Sequence, residues 1–262
     1  MKGLSHPRKL LQRALLIAAL TLPAATTQAA EGATNTEITL MTEVLAPFQY
    51  MDGDKLVGSS VEIVELIQKR LKLHQPLKIF PWSRGIKILE KKPNTALFSM
   101  MRTPEREHLF KWVGPLQQAR VVFFKKRGMP YAIHSLDDAR QLRGIGVTKE
   151  AVAHQLLRRQ GFTNLVVDPT GSYVNNMQKL IRKEIDLWAV IRKPGIYRAH
   201  LAGVADQIEP IDNLVIHTSA MYIAFSNKTD DRIIRRWQQT LDALKASGEI
   251  AAIQHKYAQQ LK

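Results

Sequence analysis

The sequence contains no cysteine. That removes a disulfide framework, a thiol nucleophile, a thiolate metal site and a lipid-anchored N-terminal cysteine together. Acidic residues are scarce beside basic ones, 23 Asp and Glu against 38 Lys and Arg, for a formal charge of +15 at pH 7. Long apolar runs are missing too. Residues 14–22 (ALLIAALTL) fall short of the ~20 apolar residues a spanning helix needs. No later stretch is long and apolar enough, so the chain beyond them is expected to be soluble. Metal-ligand spacings are absent as well, and His154, His200 and His217 stand isolated.

What the N-terminus does carry is an export pattern. Lys2, Arg8, Lys9 and Arg13 precede the short apolar run, and Pro23 with small residues up to Ala30 supplies a cleavage zone. Residues 1–30 therefore read as a signal peptide, cut after Ala29 or Ala30; the alternative is an N-terminal membrane anchor. With no lipid anchor to hold it, an exported protein is best retained in a periplasm, and that is the expected location.

Removing the four positive residues of the leader from +15 leaves +11 on about 230 residues, enough for one large or two modest domains. The basic residues are scattered along helical segments, as at Lys69, Arg70, Arg158, Arg159, Arg235 and Arg236. No basic run interleaved with aromatics offers a base-stacking platform, so nucleic acid is not an expected partner. The excess reads as a solvated basic surface.

Strand-like and helix-like segments alternate. Residues 37–42, 77–80 and 95–99 read as strands, with helices over 60–71 and 83–90. Val61, Val64, Ile67 and Leu71 fall at helical spacing, with Ser59 or Ser60 as the expected N-cap. A second block follows the apolar run 120–124. Strands are expected at 144–147, 164–167 and 186–190, and helices at 150–160 (stopped by Gly161) and 174–183. Residues 221–225 read as another strand. Asp230 or Asp231 then caps a helix burying Ile233, Ile234, Trp237, Leu241 and Leu244, and Ile250, Ile253 and Tyr257 mark a final amphipathic helix. Such a rhythm predicts an α/β protein with a largely parallel sheet, in two lobes joined by crossing strands. Its ligand would bind in the crevice at the carboxyl ends of the strands.

Several motifs occur in order: EVLAPFQY at 43–50, KLVG at 55–58, PWSRG at 81–85, SMMRTPERE at 99–107, FKWVGP at 110–115, MYIAFS at 221–226 and GEIAAIQHKY at 248–257. Together they resemble the family 3 extracellular solute-binding proteins, the periplasmic receptors of polar amino acid ABC importers. The resemblance implies a two-lobed type II periplasmic-binding-protein fold with a ligand cleft between the lobes. Lobe 1 would span residues 31–119 plus 220–262, and lobe 2 residues 120–219. It also implies that Arg106, in the TPER-like motif, holds a ligand carboxylate through the planar fork of its guanidinium. The alternative for Arg106 is a surface arginine paired with Glu105 or Glu107.

Further candidates surround it. Ser99 ends a strand and is placed either to donate to the ligand or to cap the following turn. Glu43 sits just past a strand, as the partner of a ligand ammonium or as an ordinary exposed carboxylate. Phe48 either walls the pocket or belongs to the core. Trp82 is placed to stack on the ligand. Arg84 and Arg102 are read either as added positive contacts or as solvated arginines. One departure from the family pattern stands out. Amino-acid receptors of this family carry an acidic residue near the end of the second-lobe strand, whereas residues 187–192 here read LWAVIR. Either Glu43 takes over that role or the ligand is not an ordinary α-amino acid.

The expected function is a periplasmic, monomeric substrate-binding protein of an ABC-type importer. It would close by hinge motion on an amino acid or related small carboxylate and dock on an inner-membrane permease complex, with no metal or cofactor. The alternatives are a cyclohexadienyl dehydratase-like enzyme of the same fold and a receptor that reports ligand to a membrane sensor. The enzyme reading is disfavoured because no Glu or Asp stands at the second-lobe strand end to act as acid or base.

Overall fold

The computed structural model describes residues 37–170 and 173–259; the expected leader lies outside them. The first part of the chain runs β1 (Thr39–Thr42), a hairpin of β2 (Tyr50–Asp52) and β3 (Lys55–Val57), α1 (Ser59–Leu71), β4 (Leu77–Ile79), α2 (Trp82–Lys91), β5 (Thr95–Met101) and α3 (Pro104–Glu107). A long strand, β6 (Phe110–Lys126), leads into α4 (Leu136–Arg140), β7 (Ile145–Thr148), α5 (Val152–Arg159), β8 (Leu165–Asp168), α6 (Tyr173–Ile181), β9 (Leu187–Ile191) and α7 (Arg192–Leu201). A second long strand, β10 (Ile208–Ser226), returns to α8 (Asp231–Ala246) and α9 (Glu249–Gln259).

One eight-stranded sheet orders these strands β4-β1-β5-β10-β6-β9-β7-β8. Both flanks are parallel, β1 with β4 and β5, and β7 with β8 and β9. The middle is antiparallel, because β6 and β10 pair along most of their length, through Ser219–Ala119 and Thr218–Arg120. Short parallel strands need helical crossovers, which cover the sheet and make it a buried layer. One apolar cluster gathers Phe123, Phe124, Trp188 and Leu157 around β6 to β9. A second packs α1 and α8 on β5 and β10 through Ile63, Ile67, Phe225, Trp237 and Leu241.

The spacings that predict α1 and α8 place most of their residues as expected: Val61, Val64, Ile67 and Leu71 are buried, as are Ile233, Trp237, Leu241 and Leu244, while Ile234 is only partly buried at the edge of the face. Asp230 caps α8, its carboxylate accepting from Arg232 N–H at 2.7 Å. At α1 the expected serine cap is replaced. Gly58 is the N-cap, and the Ser59 and Ser60 hydroxyls bond to Gln117 instead. Gly58 has φ 129°, and a Cβ there would stand 2.4 Å from the Phe48 carbonyl oxygen. Gly58→Ala is expected to cost about 3 kcal/mol, because backbone cannot yield as a side-chain tip can. Thermal denaturation should show a Tm lower by roughly 6–12 °C.

Helix α7 has no counterpart in the sequence reading. Its buried residues are Pro194, Gly195 and Ala199, so it lacks the large apolar stripe by which a helix is recognised. Gly195 lets the helix lie against β6, since a Cβ there would reach 2.5 Å from the Phe124 ring. The short α3 and α4 are likewise additions, and β6 and β10 extend well beyond the runs expected for them.

Candidate functional site

Strand β1 delivers Glu43 at its carboxyl end, and β5 delivers Ser99 and Met101. Ser99 is the extra residue of a bulge: β10 pairs Tyr222 with Met100 and Ile223 with Phe98, skipping it, and its φ is 64°. Bulges re-aim side chains at the cost of local strain. Here the bulge faces Ser99 into a small cavity lined also by Glu43, Leu45, Trp82, Met101 and Arg106 from one side of the sheet and Ala151, Val152, Tyr173 and Ile191 from the other. The cavity encloses about 10 Å³, room for about one water molecule.

Arg106 occupies its floor, 2 % exposed, on the single turn of α3. Its Nη1 donates to the Met101 carbonyl at 3.2 Å, its Nη2 to the Glu150 carbonyl at 2.9 Å and its Nε to Gln155 Oε1 at 3.0 Å. The guanidinium also lies 5.4 Å from the centroid of the Trp82 ring, a cation–π arrangement. Among the described residues no carboxylate forms an ion pair with it. Glu105 pairs with Arg159 and Glu107 with Arg102, so the two neighbours that could have tied Arg106 to the surface are engaged elsewhere. Burial lowers the Arg106 pKa to about 10, opposed by Tyr173, Glu150 and Glu43.

Glu43 is buried rather than exposed. Tyr173 Oη donates to its Oε1 at 3.3 Å. Desolvation raises its pKa to about 8 against the pull of Arg198, Tyr173 and Arg106. At neutral pH the carboxyl is therefore mostly protonated. Arg198 stands 5.0 Å from the Tyr173 ring centroid and donates from Nη2 to the Val44 carbonyl at 2.7 Å. Two guanidinium groups thus border a site whose one lining carboxyl among the described residues is largely neutral.

The Glu150 carbonyl links the two sides of the sheet. It accepts from Trp82 Nε1 at 2.8 Å as well as from Arg106. Glu150 has φ 60°, a left-handed conformation that costs a non-glycine residue of order 1 kcal/mol or more. It lies just before α5, in a segment whose strained backbone aims a carbonyl at the arginine fork.

Of the residues singled out in the sequence, the structure brings together Arg106, Glu43, Ser99 and Trp82. Ser99 Oγ donates to Gln49 Oε1 at 2.8 Å, so its hydroxyl is held by the loop after β1. Three others stand apart from the cavity. Arg84 is exposed on α2, 5.3 Å from the Phe80 ring. Arg102 is held by Glu107 and lies over Trp112 and Tyr222. Phe48 is buried and lines a different, larger cavity of about 220 Å³ with Gln117, Gln254, Tyr257 and Lys193. Of the three arginines singled out, Arg106 alone lines the cavity, and Arg198 approaches from the other side through Tyr173. Tyr173, Gln155 and Arg198 escaped the sequence reading. Their partners lie 49 to 154 residues away in the chain, and no local spacing announces such contacts.

No cluster of His, Cys, Asp and Glu able to hold a metal exists among the described residues, and no helix among them is long and apolar enough to cross a membrane.

Solved structures share this architecture. A histidine kinase sensor domain with similarity to periplasmic binding proteins superposes with a TM-score of 0.75 at 19 % identity, covering 84 % of this chain and 96 % of that one. The arginine-, lysine-, histidine-binding protein ArtJ from Geobacillus stearothermophilus gives 0.74 at 18 %, covering 85 % and 95 %. An ancestral amino-acid-binding protein described as a precursor of cyclohexadienyl dehydratase gives 0.69 at 16 %, covering 84 % and 94 %. The fold is thus the α/β type II periplasmic-binding fold. No curated protein sequence matches the chain. The family model of the bacterial extracellular solute-binding proteins, family 3, matches residues 38–260, and the chain belongs to that family.

Proposed function

We propose that the chain is an exported receptor that closes by hinge motion on a small carboxylate solute and delivers it to an ABC-type importer. The observation that carries this reading is Arg106, a buried guanidinium with no ion-paired carboxylate among the described residues. A desolvated cation is costly without an anion, and a ligand carboxylate supplies one through two parallel charge-assisted bonds. In closing, the ligand would take the place that the Glu150 carbonyl holds on the arginine fork.

The moving parts in this reading are lobe 1, residues 31–119 plus 220–262, and lobe 2, residues 120–219. The stretch where β6 and β10 pair through Ser219–Ala119 and Thr218–Arg120 would serve as the hinge. Support comes from the bonds that cross between the lobes. They run from Trp82, Arg106, Glu43 and Val44 on one side to Glu150, Gln155, Tyr173 and Arg198 on the other, and all are polar. Such bonds exchange readily for bonds to a ligand or to water. The export pattern of residues 1–30 supports a periplasmic location, where the receptor would act as a monomer and an inner-membrane permease complex would receive it.

A thermal-shift panel of amino acids, dicarboxylates, small aromatic acids and polyamines tests the reading. A carboxylate at about 100 times its Kd is expected to add about 2.7 kcal/mol, a rise in Tm of several degrees. Tight binding confined to cations that lack a carboxylate would overturn it.

The likeness to a sensor domain favours a second reading, in which the closed form signals to a membrane sensor. Closure creates the same new surface either way. Co-purification of the liganded protein with a permease supports import, and its capture by a sensor ectodomain supports the alternative. The chain is read as a binder and not an enzyme. Among the described residues Glu43 is the one carboxyl lining the cavity, and Tyr173 and two arginines surround it. Turnover of a cyclohexadienyl acid would show otherwise.

A further inference from the structure

The charges and surfaces that converge on Arg106 limit what its ligand can be. Beside the guanidinium, the apolar part of the cavity wall includes Leu45, Met101, Val152 and Ile191 with the Trp82 ring. The polar groups left are the Ser99 hydroxyl, the Tyr173 hydroxyl and Glu43, and these are already bonded, Ser99 to Gln49 and Tyr173 to Glu43. Strand β9, which ends at the cavity, contributes Ile191. The next residue, Arg192, turns away to a bidentate pair with Asp212 at 2.5 and 2.6 Å. A ligand ammonium entering here would sit beside Arg106, with Arg198 behind Tyr173, and among the described residues would have Glu43 alone as an anionic partner.

We propose that the site takes a small monocarboxylic acid with an apolar body and no ammonium group. Its carboxylate would lie on the Arg106 fork and its body against Leu45, Met101, Val152 and Ile191. This deepens the receptor reading and rests on it. Two cations near one buried carboxyl leave a local positive excess that an anion relieves and a zwitterion relieves only in part. The absence of an acidic group at the end of β9 leaves an ammonium without a partner on that wall, while the same wall receives methyl or ring carbons without loss. The groups that face Glu43 are Tyr173 from α6, Arg198 from α7 and Arg106 from α3. All three pull its pKa down against the burial that raises it, so a neutral Glu43 has no charge for a second cation to pair with and an ionised one is already satisfied by them.

Matched ligand pairs test this on the purified protein by titration calorimetry: 4-methylpentanoate against leucine, and 3-phenylpropanoate against phenylalanine. The skeletons are the same and the α-ammonium is the difference. The acid is expected to bind at least about tenfold more tightly than its amino counterpart in one pair or both, a difference of about 1.4 kcal/mol. Equal or tighter binding of the amino acids, lost in Arg106→Lys, would overturn the proposal and leave the carboxylate receptor standing. No binding by any member at millimolar concentration, with binding of a ligand that has no carboxylate, would overturn both. A second readout separates the role of Glu43. As the pH rises past about 8 the preference for the acid is expected to shrink in the wild type, because an ionised Glu43 repels one ligand and attracts the other. In Glu43→Gln the preference should hold across that range. A preference that moves identically in both proteins would count against the assignment.

Discussion

Arg106→Met is expected to weaken carboxylate binding at least 100-fold while leaving the unliganded protein folded and close to its original Tm. The two effects separate because they come from different terms. Removing one partner of a desolvated, hydrogen-bonded charge pair costs the complex about 2–5 kcal/mol, and every 1.4 kcal/mol is tenfold in Kd. In the unliganded protein the same guanidinium is a buried cation held by two carbonyls and a glutamine amide, with burial pushing its pKa down to about 10. Replacing it by an apolar side chain of similar volume removes the desolvation cost of a buried cation, which offsets the loss of its hydrogen bonds to the Met101 and Glu150 carbonyls and to Gln155. The Glu150 carbonyl keeps its bond from Trp82 Nε1, so it is not orphaned by the change. Arg106→Lys is the sharper comparison. It retains the charge and loses the fork, and about a tenfold weakening or more is expected. Calorimetry gives the Kd values and thermal denaturation the Tm. If Arg106→Met binds as the wild type does, the carboxylate is not on this residue.

The parts of the fold that the chain makes legible are those in which large apolar residues recur at a fixed period. Helix α8 is one, because Ile233, Trp237, Leu241 and Leu244 lie on a single face and Asp230 caps it. The short buried strands β5, β7 and β9 are others, continuous apolar runs between turn residues. Helix α7 is the opposite case. It packs through Gly195 and Ala199, and small residues that permit close approach leave no periodic signature. Arg198 sits on that helix, so no periodic pattern announces it either. At the site, a motif pointed to Arg106 because residue types and order carry it. Arg84 and Arg102 looked equivalent in sequence, and only geometry separates them. Arg102 lies four residues before Arg106, but α3 is a single turn and Glu107 captures Arg102 from the same segment. Tyr173 reads as an ordinary aromatic at the start of a helix. Its hydroxyl joins the candidate site because the sheet order carries α6 to where Tyr173 Oη lies 3.3 Å from Glu43, 130 residues earlier.

Glu43 also makes stability depend on pH in an unusual direction. Most carboxyls that shift among the described residues are lowered by their partners, Glu107 and Asp230 chiefly by arginine and Asp168 by the Thr170 and Asn175 side chains, and they stabilise the fold above their unfolded pKa. Glu43 is raised from 4.5 to about 8 by burial. Between those values the folded state binds the proton that the unfolded state has released, so stability falls as pH rises and the loss is complete above about 8. At 1.36 kcal/mol per unit the whole change is on the order of 4–5 kcal/mol, or roughly 10 °C or more in Tm for a protein of this size. His154 and His217 work in the other direction. Burial lowers their pKa from 6.5, so their contribution grows as pH rises towards 6.5 and then stops. Above 6.5 Glu43 stands without that opposition. The expected result is therefore a falling Tm between pH 6.5 and 8 in the wild type and a much flatter profile in Glu43→Gln. The glutamine carbonyl still accepts from Tyr173, so the hydrogen bond survives and the titration alone is removed. Equal slopes in the two proteins would mean that Glu43 is ionised in the fold at neutral pH, stabilised by Arg106 and Arg198 beyond the cost of its burial. A ligand ammonium would then have a partner in the pocket, and the preference for ligands without one would lose its electrostatic basis.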